Sequence, residues 1–358
     1  MDVNDLTPLS TLKLDASNAI ECIRRINELF GLSMTLGSFY QHSTAGDLCF
    51  GVRGLLRRQD KEPVKGYPVS GPISAADFND YYRMAFGSVK AFKSELVELA
   101  GNVRLEVLHN IDKRKPLLVL LPPMACLGTI WLRQVQYFAK RYSVIICHYP
   151  GHGLSSGLDT MEGSEQGVQS IAKLIWALLD HYRLHSPAHL VGWSMGGLIG
   201  QCMAMEQPGR VATLTLVNSV APSIDNDQRG INDATRELVN EVAITLKPAI
   251  NEYFNGDFKA IKACYDPTVF DAYLQLVKQT QTSNALDKFV FPALVIAGEE
   301  DRVITSDASR RLYLRLSKAS FHLLDDGGHY LPVTHADWLN RCLEQHLVDG
   351  DSKYQHAR

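Results

Sequence analysis

The run Gly192-Trp193-Ser194-Met195-Gly196-Gly197 sets one serine among closely spaced glycines. The residues before it, Ala188-His189-Leu190-Val191, read as a buried strand, and Leu198-Ile199-Gly200-Gln201-Cys202-Met203-Ala204-Met205 after it read as a helix. A serine raised on a tight strand-to-helix turn is placed for nucleophilic attack. The glycines answer a steric need, because side chains at Gly192 or Gly196 would collide with the neighbouring strand or helix. The turn also holds the serine backbone in a strained conformation.

A serine hydroxyl is a poor nucleophile at neutral pH, so the turn predicts a histidine base and an orienting carboxylate, in the chain order serine, acid, histidine. Phe291-Pro292-Ala293-Leu294-Val295-Ile296-Ala297 reads as a strand, and Gly298-Glu299-Glu300-Asp301-Arg302-Val303 puts acids just past its carboxyl end. Asp325-Asp326-Gly327-Gly328-His329-Tyr330-Leu331-Pro332 then places a histidine on a glycine loop before a final amphipathic helix. On these motifs the chain resembles the α/β-hydrolases over roughly residues 95 to 348. The resemblance implies Ser194 as nucleophile, His329 as general base and then acid, and Asp301 as the residue that fixes the imidazole. Glu299 and Glu300 are neighbouring alternatives for the acid. Asp225 and Asp227 fall where some family members carry it one strand earlier.

The family's oxyanion hole uses two backbone N–H groups, here those of Met195 and of Met124 in the loop after the strand Pro116-Leu117-Leu118-Val119-Leu120-Leu121. Where relatives have His-Gly this chain has Pro122-Pro123. Proline has no N–H, but the donor is the next residue, so the departure changes the loop shape and leaves the chemistry open. Trp131 stands where relatives place an aromatic residue under this loop; a plain core tryptophan is the other reading. His148-Tyr149-Pro150-Gly151-His152-Gly153-Leu154-Ser155 resembles the family's Pro-Gly-x-Gly-x-Ser turn, with His152 as a structural loop residue. His322, His335 and His346 read as surface or helix histidines.

The fold class expected is α/β, with a mostly parallel central sheet, helices on both faces, a helical lid at about 221–287 and a small helical amino-terminal appendage. The domains expected are a carrier-like helical segment at 1–50, a linker and lead-in at 51–90, and the hydrolase domain at 91–350. In the lid, Leu238, Val242, Leu246, Ile250 and Phe254 recur at helical spacing. Tyr253, Phe254, Phe258, Tyr265, Phe270 and Tyr273 make it aromatic, which suits an apolar chain as well as simple packing.

At the amino end, Leu12 to Leu32 forms an amphipathic pattern with Asp15 as cap and Ile20, Ile23, Ile26 and Phe30 on one face. With Gly37 to Leu48 it resembles part of the phosphopantetheine-binding acyl carrier domain of polyketide synthases. Any short helical pair can mimic half of such a bundle. Carriers have Asp-Ser-Leu where this chain has Asp15-Ala16-Ser17, so Ala16 replaces the serine that would be modified and Ser17 falls on the leucine position. The segment is therefore read as degenerate.

A chain of 358 residues, 46% hydrophobic, holds one large α/β domain and a small appendage, and a formal charge of −3 favours neither nucleic acid nor membrane as partner. Seven scattered cysteines without a Cys-x-x-Cys pair, and a polar start unlike a signal peptide, point to reduced thiols in the cytoplasm. No metal-ligand spacing or phosphate-binding loop stands out, so neither metal nor cofactor is expected. The chemistry expected is hydrolysis of an acyl thioester through an acyl-enzyme, the acyl group borne on an acyl carrier protein, in polyketide or fatty-acid-type biosynthesis. The same triad would serve an acyltransferase, a cyclising enzyme or a general carboxylesterase, and a scaffold that docks on a synthase is the non-catalytic alternative. Because Ala16 stands at the modification site, incubation with coenzyme A and a broad-specificity phosphopantetheinyl transferase should leave the intact mass unchanged; a mass gain mapping to Ser17 would show a live carrier in a shifted register.

Overall fold

The computed structural model describes residues 23–25, 82, 86–87, 89–124, 126–157, 167–221, 267–282 and 284–355. The rest of the carrier-like segment, with Ala16 and Ser17, most of the linker, the alternative acids Asp225 and Asp227, and the lid residues 222–266 with Tyr253, Phe254, Phe258 and Tyr265 lie outside them. By contacts the chain divides into one unit of Met1–Ile73 with Arg236–Ile261 and another of Ser74–Thr235 with Lys262–Arg358. In the first, the described residues 23–25 are helical with Ile23 buried.

The second unit is built on an eight-stranded sheet in the order β1-β2-β4-β3-β5-β6-β7-β8. Its strands are β1 Lys93–Glu98, β2 Arg104–His109, β3 Leu117–Leu121, β4 Ser143–Cys147, β5 Ala188–Trp193, β6 Val211–Val217, β7 Ala293–Gly298 and β8 Ala319–Leu324. β1 pairs antiparallel with β2 and β2 with β4, and every later pairing is parallel. The central strands β3, β4, β5 and β6 are buried at every position. This is why they read as continuous apolar runs: a parallel strand covered on both faces has no solvent side to mark with polar residues.

Helices cover those two faces. They are α1 Leu132–Phe138, α2 Gln169–His181, α3 Met195–Glu206, α4 Pro267–Gln279, α5 Ser306–Leu314, α6 Leu331–Thr334 and α7 Ala336–Gln355. On one face Val119, Leu190, Leu214 and Val295 pack in a single cluster with Ile175, Leu179, Leu198 and Cys202 of α2 and α3. The Trp176 indole donates to the Met203 carbonyl at 3.1 Å and so ties α2 to α3. The alternate positions, among them Leu118, Leu120 and Val191, are equally buried and point the other way. α7 lies against β6 and α1. Gln134 on α1 donates to Pro332 O at 3.1 Å and to Asn340 Oδ1 at 3.2 Å, joining α1 to α6 and α7. Within the span where the sequence expects a lid, the described α4 buries Phe270 and Tyr273, and Tyr273 donates to Pro150 O at 2.7 Å.

Candidate active site

β5 runs into α3 through Ser194 alone, whose φ of 55° and ψ of −120° leave the ordinary regions for an L-residue. Ser194 is also the one residue between 188 and 204 that is not buried. The turn closes because two backbones approach without side chains between them. A Cβ on Gly196 would overlap the Leu121 carbonyl and sit 2.6 Å from Pro122 O, and one on Gly192 would lie 2.5 Å from the Gly197 Cα. The amino end of α3 is thereby held against the end of β3 and the loop that carries Met124. Met195 is the first residue of α3, so its N–H has no partner one turn earlier in the helix. Met124 is half-buried against the core cluster.

Asp301 follows β7 with its carboxylate fully buried and both oxygens engaged. Oδ1 accepts the Val303 N–H at 2.7 Å and the Ile304 N–H at 2.9 Å, and Oδ2 lies 2.7 Å from His329 Nδ1. Glu299 and Glu300, the neighbouring acids, are exposed. A buried carboxylate beside Nδ1 fixes the tautomer with the proton on that nitrogen and leaves Nε2 with its lone pair. His329 Nε2 is buried and has no hydrogen-bond partner among the described residues. The Trp193 ring lies 6.0 Å from the imidazole, centroid to centroid, which sets His329 beside the serine turn.

The residues that hold these parts together were not singled out in the sequence. The Ser194 N–H donates to Val217 O at 2.9 Å, and Ser219 Oγ donates to Ser194 O at 2.9 Å. Between them, Asn218 turns the end of β6 with φ 45°. Its amide donates to Gly328 O and His329 O, both at 3.0 Å, while its Oδ1 accepts the Gly298 N–H at 2.9 Å. The three residues 217–219 thus bind the serine turn, the strand end before Asp301 and the histidine loop. The legible signal was a lone asparagine closing an apolar strand, a residue type that tolerates positive φ.

The other candidates fall elsewhere. His152 is buried between the rings of Tyr149 at 6.0 Å and Tyr273 at 5.0 Å. Burial first, then the neighbouring His148, pushes its pKa down to about 4, so it is neutral at pH 7. Trp131 is buried edge-on to Trp193 at 6.0 Å. His322 is exposed on β8, His335 follows α6 and His346 lies on α7; none of them meets Asp301. Among the described residues no group of three His, Cys, Asp or Glu could hold a metal, and no helix is long and apolar enough to cross a membrane.

Residues 116–249 match the alpha/beta hydrolase fold family, 249–340 match the serine hydrolase family FSH1, and 2–49 match the phosphopantetheine attachment site family. The chain is 25% identical over 357 residues to the polyketide synthase ThaQ of Burkholderia thailandensis, covering 94% of this chain and 16% of that protein, so it spans only a small part of that relative. It is 26% identical over 251 residues to the pimeloyl-[acyl-carrier protein] methyl ester esterase of Chromobacterium violaceum, covering 65% of this chain and 94% of the other. Among solved structures it is similar to a hydrolase from Pseudomonas aeruginosa PA01, with TM-score 0.59, 20% identity, and 71% and 98% of the two chains covered. It is also similar to the enol-lactonase of Burkholderia xenovorans LB400, with TM-score 0.55, 20% identity, and 71% and 100% covered. At these identities the structural likeness shows the fold.

Asn218→Asp keeps the acceptor for Gly298 but removes both donors and sets a carboxylate against two carbonyl oxygens. It should destabilise the protein by roughly 3 kcal/mol or more in denaturant unfolding, whereas loss of an ordinary exposed hydrogen bond costs about 1 kcal/mol.

Proposed function

Since the chain belongs to the α/β-hydrolase superfamily, we propose that it is a serine hydrolase in which Ser194, His329 and Asp301 form the catalytic triad and an acyl thioester is the substrate. The observation that carries this reading is the buried Asp301–His329 pair at 2.7 Å, with Nε2 unpartnered, beside a serine held at φ 55°. Ser194 Oγ attacks the acyl carbonyl carbon as His329 Nε2 takes its proton. The N–H groups of Met195 and Met124 receive the oxyanion. The tetrahedral adduct collapses to the acyl-enzyme as His329 returns the proton to the departing sulfur. Water then attacks, again through His329, and releases the acid and the free serine. Asp301 stays ionised and holds the imidazolium.

The thioester assignment rests on the match of residues 2–49 to a phosphopantetheine attachment family on the same chain, and on the relatives that are a polyketide synthase and an esterase for an acyl-carrier-borne ester. A carrier-like segment at 1–50, a linker at 51–90 and a hydrolase domain at 91–350 suit a polypeptide descended from an assembly line. Seven cysteines scattered without a Cys-x-x-Cys pair suit a cytoplasmic setting. An acceptor alcohol in place of water would make the same machinery an acyltransferase or a cyclising enzyme.

A fluorophosphonate should label Ser194, and Ser194→Ala should abolish both labelling and turnover. His329→Ala should cost nearly as much, because the triad acts as a unit, and Asp301→Asn less, as an orienting residue. Turnover of acyl thioesters, free and carrier-bound, should rise over several methylenes as apolar area is buried at about 25 cal/mol per Å². Equal activity on short acetate esters, with no gain from length or carrier, would reduce the reading to a general esterase; labelling that survives Ser194→Ala would remove the triad.

A further inference from the structure

Two consecutive residues at the end of β4 grip both ends of the loop that carries Met124. Tyr149 donates its hydroxyl to Pro122 O at 3.0 Å. His148 accepts the Gly128 N–H on Nε2 at 2.6 Å. Behind them His148 Nδ1 lies 2.8 Å from Glu106 Oε2, with both side chains wholly buried. Because Nε2 must accept from Gly128, the imidazole carries its proton on Nδ1 and donates it to Glu106. Glu106 is then fixed by the Leu154 N–H at 2.9 Å, the Tyr82 hydroxyl at 3.2 Å and the Ser94 hydroxyl at 3.3 Å. Two glycines close the chamber: a Cβ on Gly128 would lie 3.0 Å from His148 Nε2, and one on Gly153 would lie 2.8 Å from Nδ1.

Through the Gly128 N–H the buried pair reaches one end of the loop that carries Met124, and Tyr149 holds the other. Pro122 and Pro123 have no N–H with which the loop could tie itself to its surroundings. Beside the Leu121 carbonyl, the Pro122 carbonyl is also an atom that a Cβ on Gly196 at the start of α3 would meet, at 2.6 Å, so a shift there moves the loop relative to the elbow. Met124 lies between the two tie points. We infer that Tyr149, His148 and Glu106 are positioning residues that hold the Met124 amide at the distance the oxyanion needs, an assignment that rests on the hydrolase reading above. The double proline and the buried clamp form one device: the chain gives up the amides of residues 122 and 123 and fixes the loop from the end of β4 instead.

The test uses the full chain, an acyl thioester substrate, and an acyl trifluoromethyl ketone, which forms a tetrahedral adduct on the serine and so reads the oxyanion site. Tyr149→Phe should lower kcat about tenfold or more with KM unchanged, since a misplacement near 1 Å costs on the order of a hundredfold. Ketone inhibition should weaken by the same factor. Glu106→Ala should repeat this pattern, and Glu106→Gln, which can still accept from His148, should restore it; if Glu106→Ala does not fold, Tyr149→Phe decides. Wild-type kcat and wild-type ketone inhibition in Tyr149→Phe overturn the clamp, as does a loss explained wholly by a smaller folded fraction. A wild-type protein that neither turns over the thioester nor binds the ketone overturns the hydrolase reading, and the clamp with it.

Discussion

The site depends on how β6 ends. Val217 accepts the Ser194 N–H, Ser219 donates to the Ser194 carbonyl, and Asn218 between them holds Gly298 and the His329 loop. Two of the four residues at the centre of this arrangement, Ser194 and Asn218, have positive φ, each costing on the order of 1–3 kcal/mol. Each also has peptide or side-chain groups engaged by partners on neighbouring segments. An unmade hydrogen bond in such a place costs about as much as the strain, so the strained conformation is the one that leaves the fewest polar groups unpaired.

Close backbone approach is the second constraint. Gly196 against β3 and Gly298 against Gly327 bring two loops within contact of two strand ends, at points where no side chain fits. The first contact aims the amino end of α3, with its unpaired N–H groups and positive dipole end, at the place where negative charge would develop. The second sets the spacing between the Asp301 loop and the His329 loop. Steric exclusion, rather than attraction, is what fixes these separations.

Among the described residues two carboxylate–imidazole pairs have both side chains buried, and they part ways at the far nitrogen of the ring. In Asp301–His329 the far nitrogen is unpartnered among the described residues; in Glu106–His148 it accepts the Gly128 N–H. The first can therefore take up a proton on Nε2, while in the second that lone pair is already committed to the backbone. Another buried histidine, His189, is committed on both nitrogens, to Thr213 at 2.9 Å and Asp351 at 3.0 Å, at the opposite end of the sheet. The same pair of functional groups thus serves as candidate chemistry or as framework, according to where the second nitrogen points.

The strands β3, β5 and β7 and the serine turn were legible because their signals are local: apolar runs of strand length, and glycines spaced around one serine. The order of serine, acid and histidine along the chain was legible for the same reason. Among three consecutive acids the family resemblance pointed to Asp301, but the physical reason lies in the structure, where burial and two loop N–H donors engage Asp301 once β7 is in place. The hydrogen-bond partners of Asn218 and of the Glu106–His148–Gly128 chain were invisible for a deeper reason. They lie 110 and 111 residues away for Asn218, and 42 and 20 residues away for His148, and no periodicity or motif couples positions so far apart. Local pattern determined which elements form and where the candidate nucleophile sits, and tertiary packing decided which polar groups meet, because only the closed sheet brings distant hydrogen-bonding groups out of water together.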